Sequence, residues 1–454
     1  MIGPMMLSEL AQRFGGDLLN GDAEFQRLGI DTRTIRHGDL FLAIKGERFD
    51  GHDFAETAVE RGACALVVAK PLPELAVPQW VVPDTLPALG KIAKVNRERF
   101  AGPLVAITGS SGKTTVKTML AGILVRAGSV LATRGNLNNH IGVPLTLLEL
   151  EAHHQYAVIE MGASGPGEIA SYCQWASPDV ALINNVMPAH VEGFGSVAGV
   201  ARAKGEIYQA LPTDGTAVIN QDDAFAEGWL QTLPSQRIVS VSLNNERCDC
   251  FAQDIHYRPD GTTFTLVVAK EQARVQLVAP GEHNVRNALA AAGCAYALGL
   301  SAQAIARGLE GFEPVAGRMS ACRGWGGALI IDDSYNANPG SVRAAIDVLA
   351  SQPGRRILVL GDMGELGEHS APLHDEVGAL ARERGVDRLL TLGPLSAGAA
   401  KMFGEGAETF PDHDTMIEAL KGELNGDTRV LIKGSRSAEM DRIVRGLSES
   451  GESR

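Results

Sequence analysis

The sequence predicts an α/β protein of three units, and three observations lead there. From residue 84 to about 312, and again from about 315 to 454, short apolar runs alternate with stretches whose apolar residues fall at helical spacing. Such alternation builds a mostly parallel sheet with helices on both faces. Between 236 and 280 the pattern shifts to short strands around a turn at Pro259-Asp260-Gly261, which reads as a small antiparallel sheet. At 104–115, LVAITGSSGKTT, an apolar run breaks into a glycine-flanked turn that opens a helix.

Residues 1–83 read as a small α/β unit. MLSELAQRFGG has helical spacing and a glycine stop. DTRTIRHGDLFLAIKG reads as strand, turn, strand, with Leu40, Phe41, Leu42, Ala43 and Ile44 as its apolar run. FAETAVERGA is a helix and CALVVAK a short buried strand. The proline-spaced KPLPELAVPQWVVPDTLP reads as a linker.

The central unit, 84–313, runs through PLVAIT, a helix from Thr114, SVLAT, a helix near 143–150, YAVIEMGA and a helix near 167–176. DVALINNV, a helix near 197–210 and TAVIN follow, and the alanine-rich HNVRNALAAAGCAYALG closes the unit as a helix. The last unit, 314–454, alternates ALIIDDS, a helix after Ser341, RILVLGD, a helix near 374–384, RLLTLG, a helix near 414–420 and RVLIKGS. That is a second doubly wound, Rossmann-like sheet.

Composition narrows the function. The 454 residues are 45% hydrophobic and carry a formal net charge of −13, so a chain built to grip nucleic acid is not expected. The six cysteines are scattered, and only Cys248-Asp-Cys250 is close-spaced. Reduced thiols and no zinc site are expected. MIGPMMLSELAQRFGG lacks a basic start and a long apolar core, and no apolar run approaches the ~20 residues of a membrane span. The expectation is a cytoplasmic protein with no membrane insertion.

GSSGKTT carries the first chemistry. Backbone N–H groups of a glycine turn and a helix start favour phosphate oxygens. Gly109, Ser110, Ser111, Gly112 and Thr115 would shape the cradle, Lys113 would reach the β/γ-phosphates, and the Thr114 hydroxyl would serve Mg²⁺. The strict pattern wants glycine at 107, where this chain has Ile107. Glu160 ends the strand YAVIE, either as a metal-serving carboxylate or as a solvated turn acid. His190 lies in a Gly/Pro-bounded loop after ALINNV, at the edge where open α/β sheets bind ligands. Lys204, within ARAKGEIY, reads by itself as a surface lysine.

Together these residues resemble the Mur ligase superfamily, ATP-dependent amide ligases of peptidoglycan precursor synthesis. The signposts are ITGSSGKTT (107–115), IEMGA (159–163), PAHVEGFGS (188–196), ARAKGEI (201–207), HNVRNALAA (283–291), GRM (317–319) and DDSYNANP (332–339), in family order along nearly the whole chain. The shortened phosphate loop belongs to that family's pattern. The resemblance implies a UDP-sugar-binding first domain, a P-loop-type ATPase domain and a Rossmann-like third domain.

Carried over residue by residue, the resemblance gives Lys113, His190 and Lys204 catalytic parts. Thr114 and Glu160 would hold one Mg²⁺, and His190 with a CO₂-derived carbamate on Lys204 a second. A neutral amine must attack CO₂, which calls for a depressed lysine pKa. Asn287 would face adenine, Arg318 the phosphates and Asp333 the ribose of ATP.

DTRTIRHGDLFLAIKGERFDGHDF (31–54) is similar to the uridine-diphosphate-sugar domain of the later ligases, with Thr32, Arg33 and His52 as candidates for the diphosphate end. For Arg33 and His52, turn capping is an equal reading. No Asp-Asn-Pro-Arg stands in the last unit, whereas DDSYNANPGS, LGDMGELG and LIKGSRS do. They resemble the branch that joins D-alanyl-D-alanine to UDP-N-acetylmuramoyl tripeptide. Asn138 and Asn139 would suit the muramoyl peptide, and Asn336 and Asn338 the dipeptide or simply the shape of the loop. The family expectation is a monomer. The rival readings are a sister ligase adding one diamino acid, a folate-polyglutamating ligase, a nucleotide-gated switch and a hydroxyl phosphotransferase.

Overall fold

The phosphate-turn strand Leu104–Thr108 is buried at every position and apolar up to its last residue, as a strand covered on both faces must be. The computed structural model describes residues 1–46, 48–188, 191–233 and 236–448. Leu104–Thr108 lies inside a nine-stranded sheet, flanked in parallel by Tyr156–Glu160 on one side and Val180–Ile183 on the other. Val130–Ala132 continues the sheet beyond the first, and Thr216–Asn220 and Arg237–Ser242 beyond the second. Chain order therefore reverses at the phosphate-turn strand, and a crevice opens at the C-terminal strand ends beside such a reversal.

Period-two alternation sorts the side chains. Leu104, Ala106, Ala157, Ile159, Ala181 and Ile183 pack into one core with helices Thr85–Glu98, Gly142–Leu148, Glu168–Ala176 and Val197–Gln209. Val105, Ile107, Val158, Val180 and Leu182 face the other way, against Lys113–Leu124, Glu282–Ala297 and Ala302–Leu309. The last of these helices is absent from the sequence reading. The antiparallel strands Cys250–Arg258, Gly261–Val268 and Glu271–Leu277 hydrogen-bond onto the far edge of the same sheet.

The last unit is a six-stranded sheet, parallel except for Ser320–Arg323 at one edge. Leu358 and Leu360 face a core containing Val342, Val377 and Phe403, and Ile357 and Val359 face one containing Met416, Leu420 and Ile443. All six cysteines are free. No helix among the described residues is long and apolar enough to cross a membrane.

Two expectations for the first unit change. The proline-spaced linker contains a strand, Gln79–Val81, parallel to Ala65–Val68 and antiparallel to Asp17–Leu19, with Trp80 fully buried. Its prolines flank the three ladder residues instead of interrupting them, so no ladder donor is lost. The first half of DTRTIRHGDLFLAIKG is a 3₁₀ turn, Thr32–Thr34, because the Asp31 carboxylate accepts the Arg33 N–H at 2.9 Å. The five-stranded sheet of this unit sends Leu40, Leu42, Val67 and Trp80 into the core that underlies the central sheet.

Candidate active site

The turn after Leu104–Thr108 ends at Gly112, which caps Lys113–Leu124 with φ 74°. A Cβ at Gly112 would stand 2.4 Å from Asn287 Oδ1 and 2.5 Å from Asn184 Nδ2. Conformation and space both require glycine. Gly112→Ala is therefore expected to lower stability by about 1–3 kcal/mol and to weaken ADP binding, checked by thermal unfolding with and without ADP.

Neighbouring strand ends hold the turn. Ser110 N–H donates to the Asn185 carbonyl at 2.9 Å, and Ser111 N–H donates to Asn185 Oδ1 at 2.9 Å. Asn184 Nδ2 donates to the Ser111 carbonyl and to Asn287 Oδ1, each at 2.9 Å. Lys113 curls back, its Nζ donating to the Gly109 carbonyl at 2.8 Å. Burial lowers the Lys113 ammonium pKa, Glu160 opposes that shift, and Arg318 adds to it.

Glu160 sits at its strand's C-terminal end, 1% exposed. Its Oε2 accepts from Thr114 Oγ1 at 2.9 Å and its Oε1 from Asn138 Nδ2 at 2.8 Å. Lys117 Nζ lies 3.8 Å from Oε2. A threonine hydroxyl beside a carboxylate is a hard-oxygen pair that fits Mg²⁺, which takes one or two carboxylates and completes its shell with water and phosphate oxygens. Among the described residues no three His, Cys, Asp or Glu side chains converge as an all-protein cage.

A cavity of about 600 Å³ joins this turn to the last unit. Ser110–Lys113, Thr115, Asn138, Asn139, Glu160 and Asn287 line it from the central unit. Arg318, Asp333, Asn336 and Asn338 line it from the last unit. Asp333 ends the strand Leu329–Asp333 in register with Lys433 on the adjacent parallel strand, Oδ2 to Nζ 2.5 Å. Burial pushes the Asp333 carboxyl up, and Lys433 chiefly pulls it back. Lys433 also donates to the Asn336 carbonyl at 2.9 Å, pinning the loop. The Arg318 guanidinium stacks 4.1 Å above the Tyr335 ring, a cation–π contact that fixes its direction. Asn338 caps helix Pro339–Ala350 in a reciprocal box with Ser341, and its Nδ2 comes to 3.5 Å from the Ser110 carbonyl.

Lys204 is 1% exposed on helix Val197–Gln209 and is not a wall of that cavity. Burial, reinforced by Lys113 and opposed by Glu168, brings its pKa down to about 7. A surface lysine is thereby excluded. The expectation for His190 lies outside the described residues.

The first-unit candidates stand apart from the cavity. Arg33 is exposed and paired with Asp31 at 2.6 Å, and the Thr32 carbonyl accepts from Arg61 at 3.2 Å. His52 is buried, Nδ1 donating to Asp50 Oδ1 at 2.6 Å and Nε2 accepting the Ala69 N–H at 2.8 Å. Both ring nitrogens are taken up in shaping the loop. Asn139 likewise starts helix Gly142–Leu148, its Oδ1 accepting from Gly142 N–H at 2.9 Å.

The sequence reading missed Lys117, Asn184, Asn185, His283 and Lys433. Lys117 had a signal, because it follows Lys113 by four residues and shares its helix face. Asn184 and Asn185 stand directly after ALI at the sheet edge. His283, driven down to about 4 by burial and Lys433 against Asp347, and Lys433 itself had none beyond their motifs.

A glycine turn that opens a helix at a sheet reversal, facing a second doubly wound sheet across a cavity, is the architecture of a nucleotide-binding α/β protein. The chain matches the family models for the Mur ligase family, catalytic domain, over 24–97, the Mur ligase middle domain over 107–295, and the Mur ligase, glutamate ligase domain, over 317–436. It belongs to the Mur ligase family. It is 45% identical over 448 residues, 98% of each chain, to the UDP-N-acetylmuramoyl-tripeptide–D-alanyl-D-alanine ligase of Escherichia coli K12. The Haemophilus influenzae protein of the same name is 40% identical, covering 97% of this chain and 98% of its own. A MurF crystal structure from Acinetobacter baumannii superposes with TM-score 0.91 at 37% identity, covering 98% of both chains. The MurF ligase of Thermotoga maritima in complex with ADP gives 0.84 at 30% identity, covering 92% of this chain and 96% of that one.

Proposed function

We propose that this chain joins D-alanyl-D-alanine to the terminal carboxylate of UDP-N-acetylmuramoyl tripeptide, converting ATP to ADP and phosphate. The cavity that brings the phosphate turn, Glu160 and the 332–338 loop together carries the reading. The acceptor and donor come from the named relatives, the first of them aligned over 98% of both chains.

A carboxylate is a poor electrophile at neutral pH. Transfer of the γ-phosphoryl group to its oxygen gives an acyl phosphate with a good leaving group. The dipeptide amine attacks the acyl carbon, and the tetrahedral intermediate expels phosphate, loses the amine proton to solvent or to that phosphate, and leaves the amide. Lys113 sets positive charge against the oxygens of the phosphoryl group in flight. Asn287 faces the adenine, Arg318 reaches the phosphates and Asp333 takes the ribose hydroxyls, so the site completes when the last unit closes. The dipeptide amine has a reference pKa near ~8 and is partly neutral at pH 7, so no base is assigned.

Thr114 and Glu160 would hold one Mg²⁺, and His190 with the carbamate of Lys204 a second. Bound there, the two ions supply charge neutralisation for phosphoryl transfer. Lys204 would add through its neutral amine to CO₂, lose a proton and present anionic oxygens where an ammonium stood. Thr32 and Arg33 would meet the uridine diphosphate, with His52 shaping their loop. Asn138 and Asn139 would meet the muramoyl peptide. Asn336 and Asn338 would line the dipeptide end. The reading divides the chain at 83/84 and 313/314 and has it act in the cytoplasm as a monomer.

The test is phosphate release with ATP, Mg²⁺, UDP-N-acetylmuramoyl tripeptide and D-Ala-D-Ala, omitting one component at a time. Release is expected only with all four, with an amide product of the summed mass. Release driven by a single amino acid in place of the dipeptide would move the chain to a sister ligase.

A further inference from the structure

The mechanism above gives no part to Lys117, a buried cation beside the phosphate turn. It lies one turn beyond Lys113 on the same helix, its side chain 8% exposed. Its Nζ donates to the Thr133 carbonyl at 2.7 Å and stands 3.8 Å from Glu160 Oε2. Thr133 closes the circuit, since its hydroxyl accepts the Glu160 N–H at 2.9 Å and its own N–H donates to the Val158 carbonyl at 3.0 Å. Helix, strand end and carboxylate are thus tied at one point. Thr114 and Asn138 donate neutral hydrogen bonds to Glu160 and bring it no charge. Of the cations acting on this carboxylate, Lys113 is bonded to the Gly109 carbonyl, whereas Lys117 is within ion-pair distance.

A carboxylate this buried is costly without a counter-charge. An ammonium so close to it also opposes any second cation that approaches the same oxygens. Nucleotide phosphates reverse that balance by bringing several negative charges with the metal.

We propose that Lys117 is a positioning residue, the resident counter-charge of Glu160. It holds the carboxylate in place beforehand and defers divalent-cation capture until nucleotide phosphates arrive. The inference rests on the reading of Glu160 as a metal ligand.

The test is Mn²⁺ binding to the full-length, nucleotide-free protein, read from the resonance signal of free Mn²⁺. Lys117→Met keeps the methylene stem and deletes the charge. It is expected to bind Mn²⁺ about tenfold more tightly than the parent chain, whereas Lys117→Arg stays near the parent value. Adding Glu160→Gln is expected to abolish the gain. Unchanged or weaker binding in Lys117→Met, or a gain that survives Glu160→Gln, overturns the proposal. A purely structural role would not tighten Mn²⁺ binding.

If Lys117→Met is too unstable to assay, Lys117→Met/Glu160→Gln is expected to recover stability, because the uncompensated charge is gone. Equal instability of the two overturns the proposal. The parent reading is tested separately by Glu160→Gln alone with ADP present. Unaltered Mn²⁺ binding there removes Glu160 from the metal site, and this inference with it. Weakened binding there combined with no effect of Lys117→Met removes the inference alone.

Discussion

Lys113→Met is expected to reduce phosphate release by about 10²–10³-fold, the usual effect of removing one donor aimed at charge that develops in the transition state. Lys113 follows the cap residue directly, and its Nζ already reaches back over the turn to the Gly109 carbonyl. The nearest other ammonium on this helix, Lys117, is held by the Thr133 carbonyl at 2.7 Å, one turn further along. Lys113→Arg should not rescue the rate, because a planar guanidinium is larger and directs its donors in a fixed fork. Single-turnover rates and ADP titration check the result. The rate should fall by more than ADP affinity, since the strongest interaction belongs to the phosphoryl group in transit. An equal fall in both would make Lys113 a binding residue only.

Lys204→Ala is expected to abolish ligation, with partial recovery on adding short carboxylic acids. The side chain is buried, so its removal leaves a space that a small carboxylate can enter. The added acid would supply the anionic oxygens that the proposed carbamate provides. Lys204→Arg should be inactive and should not respond, because a guanidinium does not add to CO₂. With a pKa of about 7, the Lys204 amine is roughly half neutral at neutral pH. After CO₂ is stripped from the intact enzyme, reactivation at a fixed dissolved CO₂ concentration should accelerate as pH rises through about 7 and level off above it. Below that value the protonated amine cannot attack. Reactivation that ignores pH, or full activity without CO₂, would remove the carbamate from the mechanism.

The chain displays the central sheet openly. LVAIT, YAVIE and VALI are short, apolar and bounded by turn residues, and each became a buried parallel strand. The glycine turn into helix Lys113–Leu124 was legible for the same local reason, since small residues directly after an apolar run mark a strand-to-helix junction. Strand Gln79–Val81 was not legible, because prolines on both sides mask three residues whose ladder partners come from Asp17–Leu19 and Ala65–Val68. His52 and Asn338 could be read for type but not for part. Whether an imidazole or a carboxamide meets a ligand depends on which backbone groups lie within about 3 Å of it, and folding sets that.

By itself, then, the sequence determined the fold class and the position of the glycine turn between strand and helix. These depend on periodicity and turn chemistry within a few residues of one another. Only the tertiary structure decided that Arg318 and Asp333 share a cavity with a turn some two hundred residues earlier. It alone buried Lys204, and it alone set Lys117 against Glu160. Those relations come from the packing of sheets and units against each other, and no local pattern in the chain encodes the distance between two side chains that packing brings together.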